Sequence, residues 1–213
     1  MANIASTAIV HPNVTLGIDV VVGDFCLLGG DDSATVIGAN AMLRSHTVVY
    51  AGTQIGDHFM TGHSVTIREA SRIGNHVSIG TQSCIEHHVT IGDRVRIHSQ
   101  SFIPEYCVIE DGAWIGPRTC LTNARYPGGP NAKDHLKGVI VQKNARIGAN
   151  STLLSGITVG EGALVGAGAV VTKNVPAGMV VAGNPAVVVK ATHALHFEAN
   201  DGRTEPAYPD TTE

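Results

Sequence analysis

Isoleucine, leucine or valine recurs at every sixth residue along most of this chain, and that regularity excludes most folds at once. Read from Ile37, the beat runs through Leu43, Val49 and Ile55 to Ile115 and Leu121 without a slip, and Thr61 is its one interruption. A period of six does not match the 3.6-residue repeat of a helix face, but it is a multiple of the two-residue repeat of a strand. The chain is therefore expected to be all-β, with short strands separated by corners. Two residues before the beat stands a second small or apolar side chain, as at Val65, Ser71, Val77, Ser83, Val89 and Cys107, so both positions are expected to face inward.

A slower rhythm lies on top. Ile55-Gly56-Asp57, Ile73-Gly74-Asn75, Ile91-Gly92-Asp93 and Ile109-Glu110-Asp111 recur every eighteen residues, as though every third corner shared one turn chemistry. Gly, Asp and Asn tolerate the left-handed backbone that tight corners demand. Three strands per coil give a triangular solenoid whose coils stack about 4.8 Å apart. The Gly-Asp row reads as turn formation.

Composition bounds the rest. With 43% hydrophobic and only 4% aromatic residues, the core must be built from branched aliphatics. A net charge of -4 and the absence of any Lys or Arg run argue against nucleic acid as a partner. The first residues lack a basic and apolar leader and no stretch reaches the length of a membrane span, so the expected location is cytoplasmic, with no membrane partner. Cys26, Cys84, Cys107 and Cys120 have no metal-ligand spacing and read as small, reduced core residues.

Ile4, Val10, Leu16, Val22 and Leu28 keep the beat until residues 29–33 shift its phase. The main interruption is a loop at 124–138, after which Val141, Ile147, Leu153, Val159, Val165 and Val171 resume two residues out of step. An excursion from a rigid scaffold that carries Arg125, Tyr126, Lys133, Asp134, His135 and Lys137 suits binding. Residues 1–185 are expected to form one solenoid domain, and 186–213 a short C-terminal helix (to about Glu198) followed by a tail.

Eighteen-residue spacing also sets Glu69, His87, Glu105 and Asn123 on one edge, ending at the loop. Stacked groups lie about 5 Å apart, within reach of one another. This row is the leading catalytic constellation, although corners of a solenoid face water and a polar ladder there can be simple solvation.

The repeat, together with the ending from Ile147 through Val175-Pro176 and Gly183-Asn-Pro-Ala186, resembles the hexapeptide-repeat acyltransferases over nearly the whole chain. The resemblance implies a left-handed parallel β-helix, a homotrimer with active sites between subunits, and acetyl-CoA as co-substrate. Within that family, Thr61–Glu69 and Ile115–Pro127 most resemble the N-acetyltransferases of nucleotide-linked amino sugars. The implied reaction is attack of a sugar amine on the thioester. His87 either accepts the amine proton, oriented by Glu69 or Glu105, or only binds the sugar. Asn123, Tyr126, Glu105 and His63 are candidates for the acceptor. By the same resemblance pantetheine runs along Ala149, Gly166, Ala167 and Gly168, with Lys173 and Lys190 near the CoA phosphates.

Other readings stay open. An antibiotic, an amino acid or a simple sugar is the alternative acceptor, but the O-acetyltransferase branch carries a histidine in the loop where this chain has Tyr126. A metal enzyme like the γ-type carbonic anhydrases needs a third histidine soon after the second, and none follows His98 before His135. No metal is expected.

Overall fold

In the computed structural model the described residues are 1–30, 33–198 and 203–208, and nearly all of them lie in two-residue strands and the turns between them. Within the coils the strands pair in parallel with those one coil on, as in Thr66↔Cys84 and Ile67↔Ile85. The result is three faces of eleven, nine and eight strands wound into one β-helix, consistent with the left-handed winding implied by the resemblance.

The beat fills the interior. Ile37, Val49, Ile67, Ile85, Ile103, Ile109, Ile115 and Leu121 are fully buried, and so are the partner positions Val65, Ser71, Val77, Val89 and Cys107. Each such aliphatic contributes about 1.5–3 kcal/mol by leaving water. On the first coil Ile4 and Ile9 are exposed. Thr61, the one polar beat, is buried because its hydroxyl is satisfied: it accepts from Arg44 N at 2.9 Å and meets the Thr47 hydroxyl at 3.1 Å.

Corners explain the eighteen-residue motif. Asp57 Oδ1 accepts from Ala39 N at 2.7 Å, Asn75 Oδ1 from Asp57 N at 2.9 Å, Asp93 Oδ1 from Asn75 N at 2.7 Å and Asp111 Oδ1 from Asp93 N at 2.9 Å. Each side chain thus staples its coil to the one before. Glycine precedes Asp57, Asn75 and Asp93, where a side chain would crowd the next coil: a Cβ at Gly92 would stand 2.3 Å from Asp111 Oδ1 and 2.8 Å from Asp111 N. This Gly-Asp edge joins the eight-stranded face to the eleven-stranded one. A second edge, with Gly62, Gly80, Gly116 and Gly148, leads on to the nine-stranded face, and a third, with few glycines, carries Glu69 and His87.

Two expectations fail at the C-terminus. Residues 186–198 are not a helix: Met179–Gly183 and Ala186–Ala191 form an antiparallel hairpin on the end of the eleven-stranded face. The β-branched run Val187-Val188-Val189 favours a strand, and Val180 and Val181 offer it an edge to pair with. Residue 185, the expected boundary, lies in the turn of this hairpin. The expected tail lies partly outside the described residues, but Thr204–Pro206 pairs with His196–Glu198, and the Tyr208 ring lies 3.8 Å from the Arg146 guanidinium carbon. Cysteine is also only half as expected. Cys26 and Cys107 are core residues, whereas Cys84 and Cys120 sit at outward strand positions and are half-buried; all four are free thiols.

Candidate active site on the polar edge

The third edge is built by the corners that follow the strands Thr66–Ile67, Cys84–Ile85, Phe102–Ile103 and Cys120–Leu121. Because these strands pair in register, the residues after them stack in two columns. One holds Arg68, Glu86, Pro104 and Thr122, the other Glu69, His87, Glu105 and Asn123. Buried hydroxyls fix the backbone beneath: Ser71 Oγ donates to Glu86 O at 2.9 Å.

His87, Glu105 and Asn123 meet as expected. His87 Nε2 is 3.5 Å from Glu105 Oε1, and the Asn123 carboxamide donates to Glu105 Oε2. Glu105 is thus held from both sides. Glu69 shares the column but is taken by its neighbour: Arg68 Nε and Nη2 bind its two carboxylate oxygens at 2.9 and 3.1 Å. That pairing holds the Glu69 carboxyl below the usual range, against a smaller opposing effect of desolvation, and raises the Arg68 guanidinium further. Glu69 is not hydrogen-bonded to the imidazole, and the carboxylate that stands nearer Nδ1, in ion-pair range only, is that of Glu86. Its Oε2 lies 3.8 Å from His87 Nδ1 and accepts from Arg68 Nη1 at 3.1 Å.

Arg68 and Glu86 were missed because they belong to the adjacent column. Reading two columns per edge rather than one would have found them. Tyr50 lies one coil earlier in that column, its ring 5.7 Å from the Arg68 guanidinium carbon.

Glu86, His87 and Glu105 bring one ligand atom each within 4.8 Å of one another, close enough to hold a cation. The two carboxylates also address opposite nitrogens of the ring, an arrangement that can hold an N–H on one side while the other nitrogen exchanges a proton.

At the end of the row the chain departs into the loop. Asn123 O accepts from Lys137 N at 2.8 Å and from Ser155 Oγ at 2.8 Å, closing the neck while residues 124–136 project. A short 3-10 turn, Ala132–His135, shapes the tip. Tyr126 is 73% exposed and, with Arg125, lines two cavities, about 270 Å³ beside Ser155 and Thr172 and about 300 Å³ beside Pro130 and His135. Ser155 and Lys173 continue the row beyond the loop through the pairing of Cys120, Thr152 and Val170.

Other expected residues lie elsewhere. His63 stands on the glycine edge, its Nδ1 2.9 Å from Ser45 Oγ. Ala149 and Ala167 share that same edge, where Gly168 N donates to Ala149 O at 2.8 Å and a Cβ at Gly148 would strike Ala167 N at 2.4 Å. Gly166 approaches Ala182, and Gly168 has open space beside it. Lys190 is exposed on the terminal hairpin, across from Val180. The thiols are poor nucleophiles: burial pushes Cys84 up to about 11 and Cys107 to about 12.

Comparison with known proteins agrees with the repeat. Residues 138–173 match the hexapeptide repeat of succinyl-transferase, and residues 70–105 match the bacterial transferase hexapeptide (six repeats). Over these two stretches the chain carries the hexapeptide repeat of bacterial transferases. Over 52 residues it is 48% identical to a Staphylococcus aureus 2,3,4,5-tetrahydropyridine-2,6-dicarboxylate N-acetyltransferase, covering 24% of this chain and 22% of that protein. The chain thus aligns with about a fifth of the length of the curated relatives it matches. A Francisella novicida UDP-N-acetylglucosamine acyltransferase shares the fold with a TM-score of 0.71 at 19% identity, over 90% of this chain and 70% of that one. An Arabidopsis UDP-N-acetylglucosamine acyltransferase does so at 0.51 and 23%, over 88% and 74%. Among the described residues no helix is long and apolar enough to cross a membrane.

Proposed function

We propose that the protein is an acetyl-CoA-dependent N-acetyltransferase that acts on the amine of a nucleotide-linked amino sugar. The observation that carries this reading is the run His87–Glu105–Asn123, which ends where the chain opens into the loop. The acceptor amine attacks the thioester carbonyl carbon, a tetrahedral intermediate forms, and its collapse expels the CoA thiolate. His87 takes the amine proton while Glu105, fixed by Asn123, orients the ring. Juxtaposition of the two substrates supplies much of the acceleration.

Asn123, Tyr126 and Glu105 are assigned to the sugar. Pantetheine is assigned to Ala149, Gly166, Ala167 and Gly168, and the CoA phosphates to Lys173 and Lys190. Most of these cofactor positions and the His87 row lie on different edges of a rigid prism. A homotrimer that sets the glycine edge of one subunit against the polar edge of the next would complete the site. Four free thiols suit a reducing, cytoplasmic setting.

The test is a mass-spectrometric screen of acyl-CoAs against nucleotide-linked 3-amino and 4-amino sugars. Acetylated product is expected, and the absence of product with every sugar would overturn the acceptor assignment. The S. aureus relative supports a second reading, a carboxylated non-sugar acceptor. The same screen, with cyclic dicarboxylates added, separates the two.

A further inference from the structure

The eleven-stranded face carries a second cluster that the reaction above does not use. At the αL position of the Gly-Asp corners, His58, His76 and Arg94 follow one another at eighteen-residue spacing with φ of 57°, 56° and 56°. The two imidazoles stack with centroids 4.6 Å apart and planes 6° from parallel. Beside this ladder, Arg96 and Trp114 point outward from paired strands. Together with Met60 they line a groove of about 490 Å³.

Three observations give this groove a chemistry. Among the described residues, no hydrogen bond or ion pair engages the guanidinium of Arg94 or Arg96, whereas Arg68, Arg72 and Arg118 are all bound to side-chain oxygens. The corner carboxylates Asp57, Asp93 and Asp111 do not line it, and each is turned to a backbone amide of the preceding coil. Trp114 is half-buried and braced by the His98 ring at 4.5 Å, a ring that burial keeps neutral. Free guanidiniums recognise phosphate oxygens in pairs, and a braced indole offers a flat surface for an aromatic ring.

We propose that this groove is a second binding site, for a nucleobase compound bearing phosphates, such as a nucleoside diphosphate. The base stacks on Trp114, and Arg94 and Arg96 hold the phosphates with the imidazole ladder alongside. The polar edge lies between the other two faces, so the site is separate from the one assigned to catalysis and stands whether or not that assignment does.

Trp114 is the single tryptophan of the chain, so its fluorescence reports the groove directly. The full chain would be titrated with UDP, ADP, uridine and inorganic pyrophosphate. Saturable quenching by the diphosphates is expected, with uridine and pyrophosphate weaker by about tenfold or more because each offers half of the recognition. A doubly substituted R94A/R96A variant, checked for unchanged circular dichroism, should lose diphosphate affinity by about tenfold or more. Asn123→Ala should leave the quenching unchanged. Calorimetry on Trp114→Phe supplies an independent readout, in which the heat of diphosphate binding should fall sharply. No saturable quenching at about millimolar ligand, equal affinity for pyrophosphate and diphosphates, or quenching unaffected by R94A/R96A would each overturn the proposal.

Discussion

On the Gly-Asp edge every carboxylate or carboxamide of the repeat turns back to a backbone amide of the coil before it, whereas on the polar edge the side chains bond to one another. Both edges obey the same eighteen-residue spacing. The first uses it to hold the stack, with Asp57, Asn75, Asp93 and Asp111 as interchangeable staples. On the second, Arg68, Glu69, Glu86, His87, Glu105 and Asn123 differ at every level and form one connected network. Where a repeat is kept, it serves the fold; where side-chain identity changes from coil to coil on a kept backbone, specific chemistry becomes available.

That contrast can be broken at several points. The largest effect is expected from Gly92→Val on the Gly-Asp edge, where the new side chain meets the backbone of Asp111. A loss of about 3 kcal/mol or more should appear in urea denaturation, or the protein should fail to fold. On the polar edge, His87→Ala should lower acetyl transfer by about tenfold or more with the denaturation midpoint unchanged. Near-normal kcat would remove His87 from proton transfer, and a raised KM alone would leave it a binding residue.

Asp93→Ala deprives Asn75 N of its acceptor at 2.7 Å and should cost about 1 kcal/mol of stability with no effect on turnover per folded molecule. The smallest effect is expected from Arg68→Met. Its ion pair with Glu69 is a little over a third exposed on both sides and screened by solvent, so little stability should be lost at neutral pH. The sign follows from Glu69, whose carboxyl is held below its usual 4.5 in the folded protein. The contribution is present above that value and disappears as pH falls through the lower, folded one. Wild type and variant should therefore converge in acid.

Much of the fold was legible because a solenoid is a local code. Each inward Ile or Val marks a strand, and the phase slip at 124–138 marks the loop without reference to distant residues. The hairpin at 179–191 was not legible in this way. Its second strand has no beat to follow, and its pairing depends on an open sheet edge that only the assembled coils provide. Of the site, the column through His87, Glu105 and Asn123 could be read from spacing alone. The partnership of Glu69 could not, since the choice between Arg68 and His87 is made by side-chain direction within a corner. The distance of His63 from the row follows instead from the repeat itself, since six residues move a side chain to another edge of the prism.

The neck of the loop has a consequence for how such a protein can change. Its two ends are joined by the bond from Lys137 N to Asn123 O, and the core closes beneath it as though residues 124–136 were absent. The loop is in effect a cassette seated on an unbroken spring. Its length and sequence can be exchanged by recombination without re-registering a single coil, so under the proposed function acceptor preference could diverge among descendants while the spring that carries it stays the same.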